Sequence, residues 1–533
     1  MKKMQRILTA MLALMLVLLL TACQEQSETF TLRVNLPHEL TTLDPAMVTT
    51  ETEKTVVNHL YENLMKLVDD GMGGSKLAYG LASGYQCENH LDGTQTYTFT
   101  LRSNVTWADG KPVTAHDFVY SWRRLADPAT DSPNAWVLDA VAGYSEARKS
   151  GDMTKLQVSA ADERTLVVVL SHKSLQFPRT VCADAATMPV REDMVQAENW
   201  SMSVSTLVAN GPYCMVESWE DGALTVRSRE TYHDIRRLGP DALQFVFGGT
   251  EEEMDFVLTH QGVEEEAGWS LGTLPYTGTL VMNQMTTFTE ELRQAMSLTI
   301  DRQQISDLLG SVYVPADGLI PAGVGSTQGG RFRDVAGALI DNDPEQYETR
   351  CQAAKDLLKG QKLPQAGNVS LIFVSDEATD QVAEALRSTW QEKLGLQVTL
   401  RAVTQEELMT ALSKGDFAMA LVMMESVRSD AADMLKEWTS AADGNYAHIH
   451  NSAYDLLLRI TDTSASAAAR DAYLSDAERL LLESGYVVPI CFATDSWQLK
   501  EELMGVYGDG MGQYFFHTVT KKPAEMMKKT LLK

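Results

Sequence analysis

The chain has 533 residues, more than a single hydrophobic core holds, so two or three lobes of roughly 100–200 residues each are expected. Apolar residues make up 44% and charged residues 22%, a globular balance that excludes a disordered chain. The formal net charge is −27, which repels phosphate backbones and argues against nucleic acid as a partner.

The N-terminus carries the most specific short signal. A basic MKKMQR precedes ILTAMLALMLVLLL, residues 7–20, an apolar run too short for the ~20 residues that span a bilayer. It ends in Leu20-Thr21-Ala22-Cys23, followed by polar QEQSET. Small residues before a cysteine fit a signal peptidase site, and the arrangement resembles a bacterial lipobox. A signal peptide over 1–22 is expected, with Cys23 lipidated at the start of the mature chain. The alternative is an uncleaved anchor with an incidental cysteine. Without the first 22 residues, which hold three basic residues and no acid, 42 basic residues face 72 acidic ones, a net of −30. Five cysteines remain, Cys87, Cys182, Cys214, Cys351 and Cys491, with no CxxC, so zinc ribbons are excluded. One or two disulfides and buried free thiols stay equally open.

In chain order, FTLRVNL (30–36) alternates as an opening strand, and TYTFTLR (96–102) as a half-buried one. Asp109-Gly110 marks a turn, Thr114 an N-cap with Asp117 three residues on, and Phe118, Trp122 and Leu125 one apolar helical stripe that Asp127-Pro128 ends. That aromatic stripe reads as core. RTLVVVL (164–170) reads as a buried strand, and YCMVESW and ALTVRS flank a hairpin turn at Glu220-Asp221-Gly222. From Thr287, T-F-T-E reads as a capping box before a helix bearing Leu292, Met296 and Ile300, whose extension Gly310 ends. NVSLIFVS (368–375), a helix to Leu394, Gly395 and LQVTLRAV (396–403) form a β-α-β unit, and SASAAAR (464–470) suits an exposed helix. The fold class is α/β or α+β.

Catalytic patterns are absent: the sequence has no GxSxG, HExxH or P-loop. GDGMGQ (508–513) lacks the dinucleotide spacing and reads as a loop, and GMGGSK (71–76) has the wrong order for phosphate. His448-x-His450 reads as polar surface, and the acidic runs EEEMD (251–255) and VEEE (263–266) as solvated faces without a calcium pattern. No metal or cofactor is expected.

TLDPA (42–46), YENLM (61–65), the block from Asp92 to Pro128, NGPYCMVESW (210–219), LRQAMSLTIDRQQI (292–305), NSAYDLLL (451–458) and AERLLLESGYVVPI (477–490) occur in that order. Together they resemble the oligopeptide-binding proteins of ABC importers, across nearly the whole mature chain. The resemblance implies an α/β, two-lobed periplasmic-binding-protein-like fold of the large peptide-binding type with an extra accessory domain. It places a tether at 23–29, lobe I at 30–66, 185–278 and 489–533, the accessory domain at 67–184 and lobe II at 279–488. It further implies a peptide or other small solute, a partner ABC permease, lipid anchoring to the cell membrane, no covalent chemistry and a monomer. Peptide-binding members carry a Trp-x-x-Asp element whose Asp holds the peptide's amino terminus. Aligned on Phe417, this chain has Met424 and Val427 there, with Glu425 or Asp430 as replacement anchors, or no anchor for a free amine at all. Asn35, Trp136 and Asn445 complete the candidate cleft residues, loop packing being the alternative for Trp136 and Asn445. A peptide-sensing receptor and an extracellular hydrolase with an acidic pair are the competing functions.

Overall fold

Alternation of apolar and polar residues sets the strands, and their pairing sets where the chain divides. In chain order they are β1 (Thr31–Leu36), β2 (Met65–Asp69), β3 (Ser75–Tyr79), β4 (Ala82–Asn89), β5 (Gln95–Leu101), β6 (Val158–Asp162), β7 (Thr165–Leu170), β8 (Tyr213–Met215), β9 (Ala223–Ser228), β10 (Ala242–Phe247), β11 (Phe256–Thr259), β12 (Trp269–Met282), β13 (Tyr313–Pro315), β14 (Ser370–Val374), β15 (Thr399–Val403), β16 (Met419–Glu425) and β17 (Val487–Leu499). The helices used below are α1 (Glu51–Leu60), α2 (Ala115–Ala126), α3 (Glu290–Leu298), α4 (Arg302–Leu309), α5 (Glu377–Leu394), α6 (Gln405–Lys414), α7 (Ala431–Lys436) and α8 (Ala467–Glu483). The computed structural model describes residues 29–71, 74–216, 222–248, 253–260, 268–286, 288–365, 367 and 369–523. Cys23 and the leader, Glu220-Asp221, the 263–266 acidic run and Thr287 lie outside them.

One long sheet runs in the order β15-β14-β16-β12-β17-β11-β1-β10-β9-β8, with β13 also paired to β17. It contains two parallel groups. β1 pairs in parallel with β10 and β11, and β14 with β15 and β16. The antiparallel pair β12 and β17, of 14 and 13 residues, joins them. One end of this pair is sealed in the cores around β14–β16, through Leu280, Val281, Met282, Val487 and Val488. At the other end, Trp497 and Leu499 pack on the core that holds β1 and β10. Between these ends the ladder slips, from Thr273 to Thr277, where Pro275 has no N–H to give. Two packed bodies joined by two strands with an interrupted ladder can pivot there at little cost in core contacts.

A second sheet, β4-β5-β7-β6, is antiparallel. It is covered by α2, whose N-terminus carries the expected box: the Thr114 N–H donates to Asp117 at 2.8 Å. Phe118, Trp122 and Leu125 are fully buried, and the Trp122 indole donates to the Thr187 carbonyl at 2.9 Å. The expectation of a buried strand at 164–170 needs correcting. In β7, Leu166, Val168 and Leu170 are buried while Val167 and Val169 are half-buried, because α2 covers one face only. The residues of this sheet share one continuous core with β1, β8–β11 and Phe516.

The helix expected after Thr287 is capped two residues later, where the Thr289 hydroxyl accepts from the Leu292 N–H. It ends at Leu298, and Asp301 caps a separate α4 that Gly310 terminates. The β14-α5-β15 unit is present, with Gly395 at φ 71° closing α5. The five cysteines beyond Cys23 are free, Cys182, Cys351 and Cys491 buried. Among the described residues no helix is long and apolar enough to cross a membrane, and no group of three potential metal ligands occurs.

Candidate functional site

The parallel trio β15-β14-β16 determines one half of the cleft. β14 and β16 pair only at Leu371–Met419 and Ile372–Ala420, then diverge. Crossover helices leave on opposite faces, which opens a crevice at the carboxyl ends of the strands, where open α/β sheets bind ligands. This crevice has a volume of about 520 Å³ and a largely apolar wall that includes Met409 of α6, Met423 and Met424 of β16, Tyr313 and Cys491. Methionine side chains suit a wall that must fit several shapes.

β16 then ends at Glu425, and the chain crosses through Ser426–Ser429 to α7. Here it faces the other body. A recess of about 90 Å³ is bounded by Glu425–Ser429 on one side and by Lys54 of α1, Arg179, Asp184 and Gln513 on the other. A neighbouring recess of about 260 Å³ shares Arg179 and extends along Leu271–Thr273 of the crossing strand and Gly508–Gly512. Gly510 and Gly512 of GDGMGQ thus serve close approach. A side chain at Gly510 would strike the Gly323 carbonyl at 2.3 Å, and one at Gly512 the Glu51 side chain at 2.8 Å.

The charges here are mostly committed. Arg428 lies over the Trp136 ring at 4.7 Å, donates to the Trp136 carbonyl at 3.2 Å and pairs with Asp139 at 3.0 Å and Asp433 at 3.6 Å. It therefore clasps the helical turn Ala135–Leu138 across the cleft. Burial pushes the Asp433 carboxyl up to about 7. It does the same to Asp509, up to about 6, against the pull of the Met511 and Gln513 amides that its carboxylate accepts. Asp495, on the crossing strand, rises to about 7 for the same reason. Its Oδ1 accepts from the Tyr514 hydroxyl at 2.5 Å and its Oδ2 is buried without a partner.

The candidate residues separate on this frame. Glu425 and Val427 stand exposed on the recess, and Val427 is 52% exposed. Met424 lines the apolar crevice and belongs to the core beneath it. Trp136 meets the cleft through Arg428. Three expectations are corrected. Asp430 is no open anchor: it caps α7 and holds Arg470 through two bonds of 2.9 and 2.8 Å, at 7% exposure. Burial works to raise its carboxyl, and the Arg470 guanidinium more than reverses that. Asn445 spends its side chain on both the N–H and the carbonyl of Ile449, closing its own loop. Asn35 is buried in β1, between Val246 and Val257, and borders neither recess nor the crevice. His448 sits at φ 55° in a loop. Lys54, Arg179 and Arg428 escaped the sequence reading, although Arg428 adjoins the Val427 position that was singled out.

Fold and cleft define a two-lobed solute-binding protein. Residues 76–262 and 259–446 match the model described as bacterial extracellular solute-binding proteins, family 5 Middle. The chain belongs to that family, the oligopeptide- and dipeptide-binding proteins of ABC importers. It is 28% identical over 501 residues to the periplasmic murein peptide-binding protein MppA of Escherichia coli (strain K12), covering 88% of this chain and 89% of the relative. It is 28% identical over 475 residues to the probable deoxycholate-binding periplasmic protein YgiS of the same organism, covering 85% and 86%. It is 26% identical over 557 residues to the oligopeptide-binding protein OppA of Bacillus subtilis (strain 168), covering 97% and 99%. By name these relatives are binding proteins rather than enzymes. The unliganded open form of MppA superposes with a TM-score of 0.81 at 25% identity, over 94% of this chain and 99% of that one. Another structure of E. coli MppA, at the same identity and covering 93% and 99%, gives 0.62. The two bodies therefore sit as in the open form.

Proposed function

We propose that this chain is an extracytoplasmic solute receptor, tethered through lipid on Cys23, that takes a peptide or a related small solute into the cleft and delivers it to an ABC permease. Lobe I would comprise 30–66, 185–278 and 489–533, the accessory domain 67–184 and lobe II 279–488, with the protein working as a monomer. The observation that carries the reading is the cleft between two separately packed bodies, bridged among the described residues by the β12 and β17 crossing and by contacts such as Arg428 on Trp136 and Arg179 on Ser429. Closure needs a ligand that prefers the closed state and no bond breaking. The Trp-x-x-Asp amine anchor is replaced by Met424 and Val427, so a free α-amine is not the main handle, and Glu425 is an acid left exposed at the rim. The deoxycholate named for one relative fits a protein that offers an apolar crevice as well as a charged recess.

Calorimetry with a tripeptide mixture and with deoxycholate, followed by mass analysis of what is recovered, tests this. Saturable binding and intact ligand support the receptor. Cleaved peptide supports the hydrolase reading and defeats this one. Cys23→Ala should move the protein from the membrane fraction to the soluble one.

A further inference from the structure

Arg179 stands on the helical turn Phe177–Thr180, and only 9% of it is exposed. Its guanidinium borders both recesses of the cleft. A buried guanidinium ordinarily sits against a carboxylate, because an unpaired cation in a low-dielectric site is costly. Among the described residues Arg179 makes no ion pair. Its protein partner is the neutral Ser429 hydroxyl, at 3.4 Å from Nε and 3.3 Å from Nη2, and that oxygen already accepts from the Gly325 N–H at 2.9 Å.

The acids nearby are otherwise engaged. Asp430 is held by Arg470. Asp509 accepts from the Met511 and Gln513 amides and from the Gln513 side chain at 2.7 Å. Asp184 accepts from the Ala186 N–H at 2.8 Å, and burial favours its neutral form. Burial likewise disfavours the charged form of Arg179. On the same wall stands Lys54, a second cation that makes no ion pair among the described residues. The chain also clears space for the guanidinium: a Cβ on Gly325 would lie 2.6 Å from Arg179 Cζ and Nε.

We propose that Arg179, assisted by Lys54, is the receptor for a carboxylate of the bound solute, so that this cleft anchors its ligand by an acid group and not by an amine. Two parallel N–H donors of a guanidinium match the two oxygens of a carboxylate, and the charge-assisted pair supplies the partner that the fold withholds. The inference rests on the reading of the cleft as a solute site, and its test separates the two.

The full chain, with Arg179→Gln, Arg179→Lys and Arg179→Met variants, is titrated with trialanine, N-acetyl-trialanine, trialanine amide, deoxycholate and deoxycholate methyl ester. Wild type should keep its affinity within threefold on acetylation and lose at least thirtyfold when the carboxylate is amidated or esterified. Arg179→Gln should bind acid and amide alike, and Arg179→Lys should retain part of the preference. Equal binding of acid and amide by wild type, or an undiminished preference in Arg179→Gln, overturns the proposal. If wild type binds none of the five, the peptide and bile-acid readings fail, and Arg179 is judged from the ligand-free protein. A residue kept for a ligand costs stability, so Arg179→Met should melt at or above wild type. A Tm several degrees lower, or failure to fold, makes Arg179 structural and overturns the assignment.

Discussion

Asp430→Ala separates a structural acid from a ligand anchor. The substitution strips the buried Arg470 of both carboxylate bonds and leaves it the Thr327 hydroxyl at 2.9 Å. Both partners are less than a tenth exposed, so water screens the pair little. Removing one member of such a pair costs about 3–5 kcal/mol. The Asp430 side chain also accepts from the Ala432 N–H at 3.2 Å as the cap of α7, a bond worth about 1 kcal/mol. A loss of about 4–6 kcal/mol is expected in the unfolding of the body that holds α7 and α8, a cost large enough to lower its urea midpoint substantially. The affinity for a bound solute should stay within twofold when measured well below the transition. Arg470→Met in the Asp430→Ala background should recover much of the loss, because the uncompensated cation is gone. Urea titration followed by far-UV circular dichroism, paired with calorimetry, gives both numbers. An unchanged midpoint with affinity weakened tenfold or more would refute the reasoning and return Asp430 to the ligand.

Asp495 adds a pH dependence. Its folded-state value of about 7 lies above the ordinary 3.8, so the buried carboxyl leaves stability intact below pH ~4 and lowers it progressively up to pH ~7. Asp495→Asn should therefore raise Tm at pH 8 and not at pH 4, with a limit of about 4 kcal/mol from the pKa difference; a pH-independent difference contradicts this. Gly272→Ala puts a Cβ 1.8 Å from the Tyr514 hydroxyl and 2.1 Å from Asp495 Oδ1, and should cost about 1–3 kcal/mol or more. Gly84→Ala on β4 meets nothing within 4 Å and should leave Tm unchanged or slightly raised, so equal melting of the two variants would contradict the crowding at the crossing strands. Met423→Arg changes a side chain that is 51% exposed on the crevice wall, so it should spare Tm and weaken binding of an apolar ligand about tenfold; an unaltered Kd would remove the crevice from the site.

Local signals account for most of the fold that was legible. Thr114 with Asp117, the i, i+4, i+7 stripe of α2, and Gly395 after α5 are decided within a few residues of themselves, and the structure forms them as read. The helix is capped by Thr289, two residues past the expected position, because threonines two residues apart offer the same capping chemistry to a sequence reading. The cleft was less legible, since its partners lie far apart in sequence. Arg179 meets Ser429 from 250 residues away, and Asp430 is claimed by Arg470 from 40. Motif alignment points to Glu425 and Val427, which border a recess, yet it does not distinguish them from Asp430, whose carboxylate serves a salt bridge. Asn445 looked available because its Ile449 partners are backbone groups, which carry no signature in a sequence.

The most direct test of the account is hydrogen exchange of the full chain with and without a solute recovered from it by native mass spectrometry. Trapping between two bodies predicts concerted protection of 177–185 and 509–515 on one side and 425–429 on the other, with the solute returned intact. Protection confined to one side, or recovery of a chemically altered solute, would contradict it.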